Sequence, residues 1–113
     1  MKETDVYERY FEGRCKVNGR MRHAAQVKLT AVTDAGMIRY TASVNFFPHD
    51  DPEDYSISYD GFVSKELYYA KGRRSKKKEA AFLEQMFAAA DELAAGMKGR
   101  IDWKKPLIEE RRG

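Results

Sequence analysis

A chain of 113 residues suits one domain with one core, and a composition of 42% hydrophobic against 35% charged residues excludes a disordered or fibrous polymer. A single cysteine, Cys15, excludes an intrachain disulfide and a cysteine metal cluster. The formal net charge of +3 permits an anionic partner without requiring one.

The N-terminal "MKETDVYERY" has no apolar core of signal-peptide length, and no apolar run approaches membrane-spanning length. No membrane association is therefore expected. The lone thiol fits a reducing compartment, which gives a cytoplasmic location as the expectation.

Residues 7 to 17, "YERYFEGRCKV", alternate. Tyr7, Phe11, Cys15 and Val17 fall on one face, and Glu8, Glu12, Arg14 and Lys16 on the other. Residues 21 to 33 and 38 to 47 alternate in the same way. Period two means half-buried strands, and three in succession with short turns make an antiparallel meander.

The turns can be tested against the faces. At Asn18-Gly19 a two-residue loop would oppose apolar to polar residues along the hairpin. A three-residue loop, Val17-Asn18-Gly19, instead pairs Cys15 with Met21 and Phe11 with Ala25, with Gly19 in a left-handed conformation. The second turn is expected at Ala35-Gly36, pairing Thr33 with Ile38, Leu29 with Ala42 and Val27 with Val44.

"PHDDPEDY", Pro48 to Tyr55, reads as an acidic loop. Tyr55, Ile57 and Tyr59 alternate after it, and "FVSKELYYA" continues as strand to Ala70. Residues 55–70 are thus one bent strand or a short hairpin. Ser75 is a good N-cap for an amphipathic helix over about 75–97, ended by Gly96 or Gly99. Leu83, Met86, Phe87 and Leu93 are its expected buried face. The fold class is α+β: an antiparallel meander of four or five strands, order β-β-β-β-α, with one long C-terminal helix packed on one face. Residues 1–98 form the single domain. Residues 99–113, with Ile101, Trp103, Leu107 and Ile108, form a partly docked tail.

The junction before the helix, "KGRRSKKKEAA", breaks a local rule. Lys71, Arg73, Arg74, Lys76, Lys77 and Lys78 crowd a helix start, where each well-placed cation opposes the macrodipole by about 0.3–1 kcal/mol. Such conflicts tend to mark functional positions. A docked phosphate would remove the conflict, so Lys71, Arg73, Arg74, Ser75, Lys76, Lys77 and Lys78 are the candidate anion- and nucleic-acid-binding residues. The plainer alternative is that these cations point into water or pair with Asp50, Asp51, Glu53 and Asp54.

"GRRSKKKEAA" resembles the start of the last helix in double-stranded-RNA-binding domains, where a Ser-Lys-Lys stretch holds phosphates. Strands followed by such a helix also fit that family. The resemblance covers Gly72 to Ala81. It departs from the family pattern at Ala81, which stands where a further lysine belongs, and in lacking the family's first helix.

Other constellations carry less. His49, Asp50, Asp51 and Asp54 share one loop, but their spacing fits no calcium loop and the tight-turn glycine is absent. With His23 and His49 the only histidines and Cys15 the only thiol, no nucleophile-base pair is readable, so enzyme is the least supported class and no cofactor is implied. The sheet face away from the helix should carry Tyr10, Arg14, Lys16, Arg22, Gln26, Lys28, Thr30, Arg39, Thr41, Ser43 and Asn45. Such a face stands in water or offers a basic platform to RNA. Two functional expectations follow. The first is a small non-enzymatic domain binding nucleic acid or another polyanion through Lys71–Lys78. The second is a protein-interaction or homodimerising module that uses a sheet edge or the tail at Trp103.

Overall fold

The computed structural model describes residues 1–48 and 61–107. Five antiparallel strands form one sheet in the order β4-β3-β2-β1-β5, made of β1 (Lys2–Val17), β2 (Arg20–Asp34), β3 (Met37–Phe47), β4 (Phe62–Lys71) and β5 (Arg100–Pro106). One helix, α1 (Lys76–Gly96), crosses one face. The expected α+β class and meander are observed. The segment read as a docked tail supplies the fifth strand, which pairs with β1 and closes that side of the sheet. The acidic loop with His49, Asp50, Asp51, Glu53 and Asp54, and the alternation at Tyr55–Tyr59, lie outside the described residues.

The strands alternate because one face is apolar. Val27 and Leu29 of β2, and Ala42, Val44 and Phe46 of β3, are wholly buried under α1. Each larger one contributes about 1.5–3 kcal/mol of burial free energy. The turn at Ala35-Gly36 is as expected: both residues have positive φ, 53° and 78°. Thr33 faces Ile38, Leu29 faces Ala42 and Val27 faces Val44.

The first turn differs from its expected form. Val17 faces Arg20 across a two-residue loop, so Lys16 faces Met21 and Cys15 faces Arg22, not Met21. Asn18 and Gly19, at φ 52° and 80°, make the two-residue turn whose twist matches the strands. The clash of faces that argued against this turn is resolved further along β1. A register shift between Glu12 and Cys15 restores Phe11 opposite Ala25. Gly13 lies in that shift, and a glycine inside a strand is the usual mark of a bulge.

The expected helix face holds at Met86 and not at Leu83, Phe87 and Leu93. Phe82, Met86, Ala89, Ala90 and Ala94 are its buried apolar residues, while Leu83, Phe87 and Leu93 are only partly covered. Three alanines share the contact face with Phe82 and Met86, while Leu83, Phe87 and Leu93 lie at its flanks. The C-terminus is sharp. Lys98 takes a left-handed φ of 61°, and the Gly99 and Lys98 amides donate to the Ala94 and Ala95 carbonyls, a Schellman ending with lysine where glycine is usual. Gly99 has a different task. A Cβ there would stand 2.9 Å from both the Arg14 carbonyl and the Cys15 Cβ, so only glycine lets the chain pass from helix into β5.

The second sheet face is only partly open, with Arg14 and Lys16 exposed on it. Arg22, Ser43 and Asn45 are buried. Lys28 pairs with Asp5 at 3.2 Å and Arg39 with Glu66 at 2.9 Å. Tyr10 and Gln26 both donate to the Glu8 carboxylate, at 2.7 and 3.0 Å.

Candidate polyanion-binding segment

The basic segment leaves the sheet at Lys71, the last residue of β4. Gly72 then turns at φ 139°, and its amide donates to the Gly36 carbonyl at 2.9 Å. This ties the segment to the β2–β3 turn. Ser75 caps the helix as expected: its φ and ψ are extended, and its Oγ accepts from the Lys78 amide at 3.3 Å.

Arg74 has an internal role. Its Nε and Nη2 donate to the two Glu79 carboxylate oxygens at 2.7 and 3.0 Å. Glu79 is buried, and it also accepts from the Tyr40 hydroxyl at 2.7 Å. Arg74 precedes the N-cap and Glu79 is the fourth helical residue. These are the two positions that a hydrophobic staple joins, and the staple fixes how the chain approaches the helix. Here the staple is ionic. Sequence reasoning missed Glu79; the five-residue spacing of arginine and glutamate around an N-cap was the available signal.

The charges respond to this contact. Hydrogen bonds from Arg74 hold the Glu79 carboxyl below its ordinary range, against the opposing effect of burial, and the Tyr40 hydroxyl adds to the lowering. Burial first, then the hydrogen bond to Glu79, pushes Tyr40 up to about 12. A carboxylate in the first turn also suits the helix dipole. Glu79 thus offsets part of the conflict that the cations create.

Lys78 is engaged as well. Its Nζ lies 5.4 Å over the Tyr68 ring and 3.5 Å from the Tyr68 hydroxyl. Tyr68 in turn packs on Phe82, with ring centroids 5.0 Å apart. Lys71, Arg73, Lys76 and Lys77 are exposed, and no ion pair with a described residue holds them. The seven candidates therefore divide. Arg74, Ser75 and Lys78 shape the junction, and the other four cations face solvent around it.

Among the described residues no group of His, Cys, Asp and Glu could hold a metal ion, and no helix is long and apolar enough to cross a membrane. His23 is half-buried beside Glu12, Arg14 and Arg100 at the β1–β5 edge. No protein-family model, no characterised protein and no solved structure matches this chain.

Proposed function

We propose that this protein is a small non-enzymatic binding domain that holds nucleic acid or another polyanion through Lys71, Arg73, Lys76 and Lys77. The observation that supports this reading is the division of labour in the junction. An ionic staple, an N-cap and a lysine–tyrosine contact fix the backbone, leaving four cations exposed at the positive end of a helix dipole. The competing reading, pairing through a sheet edge, has less support. The outer edge of β4 exposes Phe62 and Tyr69, but a register shift beside Leu67 and the charges of Lys65 and Glu66 blunt it.

A gel-shift titration against mixed DNA and RNA tests the proposal. Retention is expected at low salt, and log K should fall against log salt with a slope of about −3 to −4 if four phosphates are neutralised. Replacing Lys71, Arg73, Lys76 and Lys77 by Glu should abolish retention while the fold remains. The free protein should then be as stable as the parent or slightly more so, because an unfavourable charge–dipole contact has been reversed. Absence of retention by the parent at low salt overturns the proposal and leaves the β4 edge as the surface to pursue.

A further inference from the structure

An open surface groove of about 510 Å³ lies between the C-terminal half of α1 and the β1–β5 edge, lined by Tyr7, Phe11, Phe87, Asp91 and Trp103. The four rings stand edge to face in series: Tyr7 on Phe87 at 5.6 Å and 78°, Phe87 on Trp103 at 5.1 Å and 81°, and Trp103 on Phe11 at 4.8 Å and 71°. Tyr7, Phe87 and Trp103 remain only half-covered. Asp91 is the one ionised side chain in the wall, and it accepts the Trp103 indole N–H at 2.8 Å. This volume falls in the range of small-molecule sites.

The wall selects among ligand chemistries. The Asp91 carboxylate repels an anion, and any ring face left open beside it carries the same sign of potential. Asp91 is exposed to water and keeps its indole partner, so a neutral apolar molecule would fit without using the carboxylate's charge. A primary ammonium brings three hydrogen-bond donors that ring faces satisfy poorly. A quaternary ammonium brings charge, apolar methyl groups and no donor, which is the chemistry aromatic cages hold. The ring of Tyr7 already carries a cation, the Arg9 guanidinium 5.4 Å from its centroid, and Arg9 is not part of the wall.

We infer that this aromatic recess binds a small molecule carrying a trimethylammonium group. Nothing in it depends on the basic segment at the opposite end of the helix. Trp103 is the chain's only tryptophan, so its fluorescence reports on the recess alone. Titration with choline should change that emission saturably, with a millimolar midpoint. The neutral isostere, in which a tert-butyl group replaces the trimethylammonium, should bind about tenfold more weakly or worse. Asp91→Asn, which keeps an acceptor for the indole, should also lose about tenfold for choline. A flat response up to decimolar choline overturns the inference. So does equal binding of the isostere. Binding of a trimethyl-lysine peptide at least tenfold tighter than choline overturns the small-molecule occupant.

Discussion

Replacing Glu79 by Leu removes the centre of the ionic staple and keeps its bulk. The cost can be worked from the contacts. Tyr40 is 1% exposed and donates its hydroxyl to Glu79; stranding a buried donor costs about 1–3 kcal/mol. The Arg74 side chain is 43% exposed and returns to water readily, so the lost ion pair adds about 1 kcal/mol or less. The expected destabilisation is about 2–3 kcal/mol, read from urea unfolding at neutral pH. Adding Tyr40→Phe removes the stranded donor, so the double variant should recover about half of that loss. The parent's pH profile carries the same signature. Glu79 titrates below its ordinary 4.5 when folded. Its contribution is therefore complete above that value and is lost as pH falls through the depressed one. Tyr40 is raised from 10.0 to about 12, so its contribution is complete below 10.0 and is lost as pH climbs toward 12. Glu79→Leu should flatten the acid limb and weaken the alkaline one. A single variant as stable as the parent, or a double variant no better than the single, would refute the argument.

Two further substitutions test the fold. Met86 is wholly buried at the centre of the helix face, so Met86→Ala should cost about 2–5 kcal/mol in urea unfolding, and half-buried Leu93→Ala distinctly less; the reverse order would refute the observed helix face. Gly19→Val places a β-branched residue at φ 80° and should destabilise by about 1–3 kcal/mol, whereas an unchanged unfolding midpoint would show that the turn refolds without strain.

The strands were legible because their period of two is physical: Val27, Leu29, Ala42 and Val44 had to share a face, and the Ala35-Gly36 turn followed from that alone. The first turn was misread because alternation assumes an unbroken ladder, and Gly13 breaks it. The helix was placed correctly from Ser75 onward, but its face was weighted by side-chain size. The contact face instead holds Ala89, Ala90 and Ala94, with Leu83 and Leu93 at its flanks. In the basic segment, charge was legible and partnership was not. The one local signal that sets Arg74 apart from Arg73 is its position just before the N-cap, five residues ahead of Glu79; the burial of that pair under the Tyr40 hydroxyl is set by a residue far away in sequence. The aromatic recess joins Tyr7 and Phe11 to Phe87 and Trp103, and no sequence pattern links those positions.

The place of β5 beside β1 bears on the order in which the molecule assembles. The β1–β2 and β2–β3 pairs are hairpins of adjacent strands and close across two-residue turns. The last pairing joins opposite ends of the chain, where the contact from the Cys15 thiol to the Met97 carbonyl spans 82 residues. Closing a loop costs about 0.6 kcal/mol for each doubling of its length, so this junction is the entropically dearest in the sheet and is rewarded only after α1 has settled on the meander. Until Arg100–Pro106 arrives, β1 has an open flank around Glu12, Gly13 and Arg14. The charges of Glu12 and Arg14 at that flank discourage another chain from annealing there during the wait. The first strand of the chain is thus the one whose second flank depends on the longest-range pairing in the sheet.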